Sequence, residues 1–391
     1  MSPDPRAQEL RRLLAGRDAP FAVVDLDAWD VNAAALLGRA APLPVRVASK
    51  SVRCRALLER ALGQGFTGVL GYSLDEALWL VDHGVADVLV AYPPVGRDAL
   101  SRLARHPRSH AVSVMTDHPE HVRLLGEVAR EADARRPLRV CLDVDASLRV
   151  GPAHLGVRRS CLRTPTQAAA AARAVIAEPG LELVGVMSYD AQVAGLADSS
   201  AAVRLVKAAS RRDLLRRRTA VVEAVEGELG RPLELVNAGG TGSLHLFDED
   251  PAVTELAAGS GLMSPRLFDG YRDFRHRPAA WFVTPVVRRP APDVATCYAG
   301  GYVASGAHGR DRLPTPVAPD GLRRLGTEGT GEVQTPVAGP GAADLRVGDH
   351  VWWRHAKAGE LCERFDTVLL VQGEEVVGEV PTYRGEGKAF G

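Results

Sequence analysis

From residue 21 to about residue 260 the chain repeats one rhythm, short apolar runs alternating with segments of helical spacing. The runs are Phe21–Asp27, Val45–Lys50, Gly68–Tyr72, Asp87–Tyr92, Ala111–Met115, Arg139–Asp145, Leu183–Tyr189 and Leu233–Asn237. Between them, Asp75–Asp82 follows Ser73 as a helix N-cap, and Asp117–Arg130, Gln167–Ala177 and the longer Ala201–Leu229 carry helical spacing. Strands that alternate with helices of this length form parallel βαβ units, because parallel neighbours need a crossover between them. Eight such repeats predict a (β/α)8 TIM-like barrel, which needs about 250 residues. A ninth run, Thr254–Met263, exceeds that count, so one of the nine, the first or the last, is expected outside the barrel.

The pattern changes near Asp269. Phe282–Val287, Val294–Ala304, Asp349–Arg354, Thr367–Gln372 and Glu375–Val380 read as strands between Pro- and Gly-rich turns, with Gly373-Glu374 as a hairpin turn. Gly306–Gly341 reads as a long irregular loop. The expected organisation is therefore a barrel over residues 1–270, opened by a helical arm at 1–20, and a mainly β domain over 271–391. With 48 basic and 48 acidic residues the formal net charge is zero, which argues against nucleic acid as a partner. The densest basic run, Arg211 to Arg218, has the spacing of a solvated helix face. The five cysteines include no CxxC pair, so disulfides are not expected. No signal-peptide core and no run of eighteen apolar residues occurs, so no membrane association is expected and the cytoplasm is the expected location.

The chemistry starts at Val45-Arg-Val-Ala-Ser-Lys50, a strand that ends in a lysine. Lysine is almost never fully buried without a partner, and most strand-end lysines simply point to water. An amine placed near other cations, or desolvated, has its pKa lowered and becomes a nucleophile able to form an imine; Arg46, Arg53 and Arg55 are the candidate neighbours. The second signal is Asn237-Ala-Gly239-Gly240-Thr241-Gly242-Ser243. Successive glycines let backbone amides turn inward as an anion nest, and barrels commonly hold phosphate in the loops after strands seven and eight. A ligand-free tight turn would look the same.

Arg149, past the strand that ends Asp143-Val-Asp145, could meet an anionic oxygen or pair with one of those aspartates. Tyr189-Asp190-Ala-Gln192 offers a phenol, a carboxylate and an amide at the next strand end. All of these fall where strands end, the face on which barrel enzymes do their chemistry. A strand-end lysine facing a phosphate nest suits pyridoxal 5'-phosphate, whose aldehyde takes the amine and whose ring is an electron sink.

In the order of its parts the chain resembles fold-type III pyridoxal phosphate enzymes with the alanine racemase N-terminal barrel, above all the D-threonine aldolase / D-serine dehydratase group. The matching pieces are Phe21-Ala-Val-Val-Asp-Leu-Asp27, Lys50, Gly185-Val-Met-Ser-Tyr189, Asn237–Ser243, Ala258-Gly259-Ser260 and a β domain with His355. The resemblance implies Lys50 on the cofactor aldehyde, Gly239, Gly240 and Thr241 around its phosphate with Gly259 and Ser260 nearby, and Arg149 and Tyr189 close to the ring. It also implies a homodimer acting on a small amino-acid substrate, with the β domain helping to close the site.

Members of that group hold a divalent metal, Zn or Mn, on a His-x-Asp or His-x-Cys pair. This chain has His355-Ala-Lys357, and an ammonium cannot ligate a metal. Cys362 is the remaining candidate ligand beside His355; a structural histidine and a buried cysteine are the alternative. Ala146 and Ser147 also stand where the group has a glycine, which places Arg149 out of register by one position. The expected function is a pyridoxal-phosphate-dependent lyase, aldolase or dehydratase, acting on a D-configured β-hydroxy amino acid, with Lys50, His355 and Lys357 as its catalytic groups. The alternatives are an amino-acid racemase with Tyr302 as second base, a non-catalytic pyridoxal phosphate carrier, and a cofactor-free barrel hydrolase.

Overall fold

The computed structural model describes residues 4–198, 200–307 and 309–390. It resolves into two compact units. One holds Leu36–Lys50, Ala61–Gly259 and Phe390; the other holds the residues up to Ala35, Ser51–Arg60 and Ser260–Ala389. The chain thus crosses between units several times, rather than once near residue 270.

The first unit is a closed parallel barrel of eight strands. We number them β1 (Val45–Ala48), β2 (Gly68–Gly71), β3 (Val88–Val90), β4 (Val112–Thr116), β5 (Leu138–Asp143), β6 (Leu181–Ser188), β7 (Leu235–Ala238) and β8 (Glu255–Ala258). They run around the barrel in chain order, and β8 closes on β1. The interior is a packed core in which Leu89, Met115, Cys141, Val184, Met187 and Leu235 meet, with Tyr92 against its rim. Two glycines are fixed by space. A Cβ on Gly185 of β6 would lie 2.5 Å from the Leu235 carbonyl oxygen on β7, and one on Gly68 would lie 3.1 Å from the Asp87 carbonyl.

The helices after Ser73 and at Ala201–Leu229 start where the sequence predicts, whereas the other two span Pro119–Glu131 and Pro165–Ile176, each two residues off the expected start. Ser73 caps Leu74–Asp82 by accepting from the Glu76 amide, and Thr164 with Gln167 forms a capping box on Pro165–Ile176. The long helix Ala201–Leu229 ends at Gly230, which is left-handed at φ 72°.

In the other unit a nine-stranded sheet runs in the order Arg323–Arg324, Gln334–Ala338, Val294–Tyr298, Ala280–Ala291, Phe21–Asp25, Thr367–Gln372 and Glu375–Pro381. His350–Arg354 also pairs with Ala280–Ala291 and carries Thr315–Ala318. Phe21–Asp25, the first of the nine apolar runs, is therefore the one outside the barrel, antiparallel to Ala280–Ala291 and parallel to Thr367–Gln372. Leu10, Phe21, Trp281, Trp352 and Leu369 build the core of this unit with the helix Pro5–Leu13. The expected irregular loop Gly306–Gly341 contains the strands Thr315–Ala318, Arg323–Arg324 and Gln334–Ala338; His308 in it lies outside the described residues. All five cysteines are free thiols. Among the described residues no helix is long and apolar enough to cross a membrane.

Candidate active site

Strand β1 stops at Ala48, and a short 3-10 turn, Ser49–Ser51, presents Lys50 at the carboxyl end of the barrel. The Lys50 Nζ donates to the Tyr92 hydroxyl at 3.0 Å, just past the end of β3. It also lies 5.7 Å from the Tyr92 ring centroid and 6.0 Å from that of Tyr189, which follows β6. A guanidinium joins this group: Arg159 stands 5.7 Å from the Tyr92 ring and 5.8 Å from the Tyr189 ring. Burial raises the pKa of Tyr189, and Lys50 and Arg159 oppose that shift only in part. The phenol therefore stays protonated at neutral pH.

The glycine turn after β7 reaches the same tyrosine. A Cβ on Gly240 would come 2.8 Å from the Ala194 Cβ and 3.4 Å from Tyr189 Cε2, so the turn closes against the edge of that ring. Gly239 takes a positive φ of 81°, the conformation that reverses the chain here. Among the described residues the Gly240 amide has no hydrogen-bond partner, whereas the Gly239 amide meets the Asp190 carboxylate. Ser243 anchors the turn through its amide on the Gly240 carbonyl at 2.9 Å. Lys50 and the Gly239–Thr241 turn thus lie at one end of the barrel, both close to the ring of Tyr189.

Arg149 is placed differently from Arg159. It sits half-exposed on a small hairpin, Leu148–Val150 with Ala153–Leu155, and donates to Asp145 Oδ2 at 2.9 Å. Asp145 also accepts from the Ser147 amide at 2.9 Å, the Ser147 hydroxyl at 2.8 Å and Arg163 at 3.2 Å. Burial alone would raise its pKa; these donors overcome that and hold it below the usual carboxylate range. Asp143, two residues earlier at the end of β5, goes the other way. Burial first, then the charge of Asp117, lift it to about 7, while Arg159 opposes. Two carboxylates on one strand end are thereby pushed apart in acidity.

The other cations proposed as neighbours of Lys50 have partners of their own. Arg46 is bound to Glu255 at 2.7 Å and to Asp87 at 2.6 Å, and Asn237 shares the Glu255 oxygen at 2.9 Å. Arg53 pairs with Glu363, and Arg55 with Glu59 and Glu386, in the β-rich unit. Of the Tyr189–Gln192 group, the tyrosine alone touches the lysine. Gln192 holds the Ala146 carbonyl at 2.6 Å, and Asp190 is buried with its pKa raised by desolvation, against Arg218 and Ser243. Gly259 follows β8 directly, and the Ser260 hydroxyl bonds that of Ser51 at 3.1 Å. Sequence reading missed Arg159, Tyr92 and Asp143 as members of this constellation. The position of Tyr92 and Asp143 at strand ends was the signal; Arg159 had none.

The β-rich unit carries a pocket of about 270 Å³, lined by Tyr302, Ser305, His355, Lys357, Glu360 and Arg364 among others. His355 is only 4% exposed, and neither ring nitrogen makes a hydrogen bond of ordinary geometry. Burial and the adjacent Arg354 lower its pKa to about 3, so the ring is neutral. Cys362 is buried, its thiol pKa is raised by desolvation, and it does not line the pocket. Among the described residues no group of three or more His, Cys, Asp or Glu side chains could hold a metal ion.

Residues 24–265 match the family model described as alanine racemase, N-terminal domain. A D-threonine aldolase from an Arthrobacter species is 26% identical over 299 residues, 73% of this chain and 73% of that protein. The crystal structure of D-threonine aldolase from Filomicrobium marinum is similar with a TM-score of 0.79 at 22% identity, covering 94% of this chain and 95% of that one. D-threo-3-hydroxyaspartate dehydratase from Delftia sp. HT23 gives 0.74 at 19% identity, covering 95% and 98%. At such identities the two structures speak for the fold, which is a barrel followed by a mainly β region.

Proposed function

The chain belongs to the alanine racemase N-terminal domain family, and from that membership we propose a pyridoxal-phosphate-dependent lyase acting on small D-configured β-hydroxy amino acids. The similarity to D-threonine aldolase supports the reaction class. The observation that carries the reading is that the Lys50 amine and the Gly239–Gly240 turn both lie close to the Tyr189 ring. The residues fit the cofactor. An amine stands at a strand end, an unpartnered amide belongs to a turn that admits no Cβ, and one aromatic ring lies near both.

In this reading Lys50 would hold the aldehyde, and the Gly239–Thr241 turn, through its open Gly240 amide, with the Gly259 backbone, would receive the phosphate, while the Gly239 amide stays on Asp190. When bound, the cofactor's ring takes up the electron pair left at the substrate's α-carbon. The protein's own groups do the rest. The Tyr92 hydroxyl accepts from Lys50 Nζ and fixes the direction of the amine, so a proton can pass between the two atoms across 3.0 Å. Tyr189, a neutral phenol, offers an apolar face and excludes water from the amine. Arg159 supplies positive charge over both rings and is better supported than Arg149 as the cation near the ring, because Arg149 is committed to Asp145. Asp143, with its pKa near neutrality, is a positioning residue that sets the field around Arg159.

Borohydride treatment tests this. The purified protein should show a visible absorbance band that borohydride removes, leaving a stable adduct on the peptide containing Lys50. The Lys50→Ala variant should lack both. A screen of D- and L-β-hydroxy amino acids then separates the reactions. Retro-aldol cleavage yields an aldehyde and glycine, dehydration yields ammonia and a keto acid, and a racemase yields only the mirror image. An adduct on another lysine would overturn the assignment.

A further inference from the structure

We infer that the pocket of the β-rich unit works with a fixed organic cation, the Lys357 ammonium, and takes no divalent metal. Among the described residues the pocket supplies His355 as its single donor of metal-ligand type without a hydrogen bond of ordinary geometry. Glu360 is engaged, since both of its carboxylate oxygens accept from the Ser305 amide at 3.0 and 3.1 Å. Glu363 accepts from Arg53. Cys362 is buried and is not among the residues lining the pocket. A dication placed at His355 would meet one nitrogen, two positive side chains, Lys357 and Arg364, and two carboxylates that already accept from Ser305 and Arg53, where a stable site needs several donors turned to the metal and no competing cation.

The same arrangement suits an oxygen-bearing organic group. Lys357 Nζ donates to Ser305 Oγ at 2.9 Å, and Ser305 is held from its amide by Glu360, so the ammonium is tethered rather than free to sweep. Arg364 lies 5.6 Å from the Tyr302 ring centroid, which directs a second cation to the pocket wall. A substrate hydroxyl can donate a hydrogen bond to the unprotonated nitrogen of His355 while its oxygen accepts from Lys357. The pocket thus recognises a hydroxyl on a carbon chain. That substrate class rests on the lyase reading above, whereas the exclusion of metal does not.

Metal content is the direct test. Holoprotein incubated with MnCl2 or ZnCl2 and desalted should retain about a tenth of an equivalent or less by elemental analysis. The exposed Lys357→Asp variant, whose thermal stability should match that of the wild type, should retain at least about tenfold more, and His355→Ala in that background should abolish the gain. In turnover assays a chelator should leave the wild type within about twofold, and Lys357→Met should lower kcat about 100-fold with no rescue by added metal. Stoichiometric metal in the wild type, lost on His355→Ala, would overturn the inference, as would full activity in Lys357→Met. If no β-hydroxy amino acid is turned over, the lyase reading falls while metal retention still decides the chemistry of the pocket.

Discussion

Asp143 and Asp145 stand two residues apart and are driven in opposite directions, one by desolvation and a like charge, the other by four donors. Because the folded pKa of Asp143 is raised to about 7, its contribution to stability is complete below the unfolded value and is lost as pH rises through 7. The difference is worth about 4 kcal/mol at most. The stability of Asp143→Asn relative to the wild type should therefore rise between pH 5 and pH 8, read as the difference in melting temperature at the two values. If the variant and the wild type show the same pH dependence, Asp143 titrates normally. At this scale Lys50 was legible in the sequence because a charged side chain closing an apolar strand stands out. Arg159 was not. It lies in a segment without periodicity, and only the folded chain brings it to Tyr92 and Tyr189.

Elements were easier to read than their destinations. The period of two in the strands, the helical spacing and the cap at Ser73 place most barrel elements, since local spacing and side-chain capping encode them; the Thr164 cap went unread, and the helix it opens starts at Pro165 instead of Gln167. Phe21–Asp25 has the same local pattern but pairs with strands more than 250 residues away, and no local signal carries that information. The strands within Gly306–Gly341 were hidden for the reverse reason, because proline and glycine dilute their pattern. At the turn after β7, Gly240→Ala should push on Ala194 and Tyr189 and weaken cofactor binding about tenfold while the fold persists, measured by titrating the apoprotein with pyridoxal phosphate. Thr164→Ala should cost about 1 kcal/mol of barrel stability in urea unfolding, by removing one half of the capping box, with no effect on cofactor binding.

For the molecule as a whole, the two units differ in how they meet acid. His355, in the β-rich unit, is held neutral, so its contribution to stability is complete above its unfolded value and is lost progressively as pH falls from about 6.5 towards 3. Asp143, in the barrel, becomes stabilising over much the same interval. On acidification the β-rich unit should loosen first. The tryptophans make that order visible, for Trp29, Trp281, Trp352 and Trp353 belong to the β-rich unit and Trp79 alone to the barrel. Indole emission should shift red at a higher pH than the helical ellipticity at 222 nm declines, so two optical signals from one unlabelled sample follow the two halves of the chain separately.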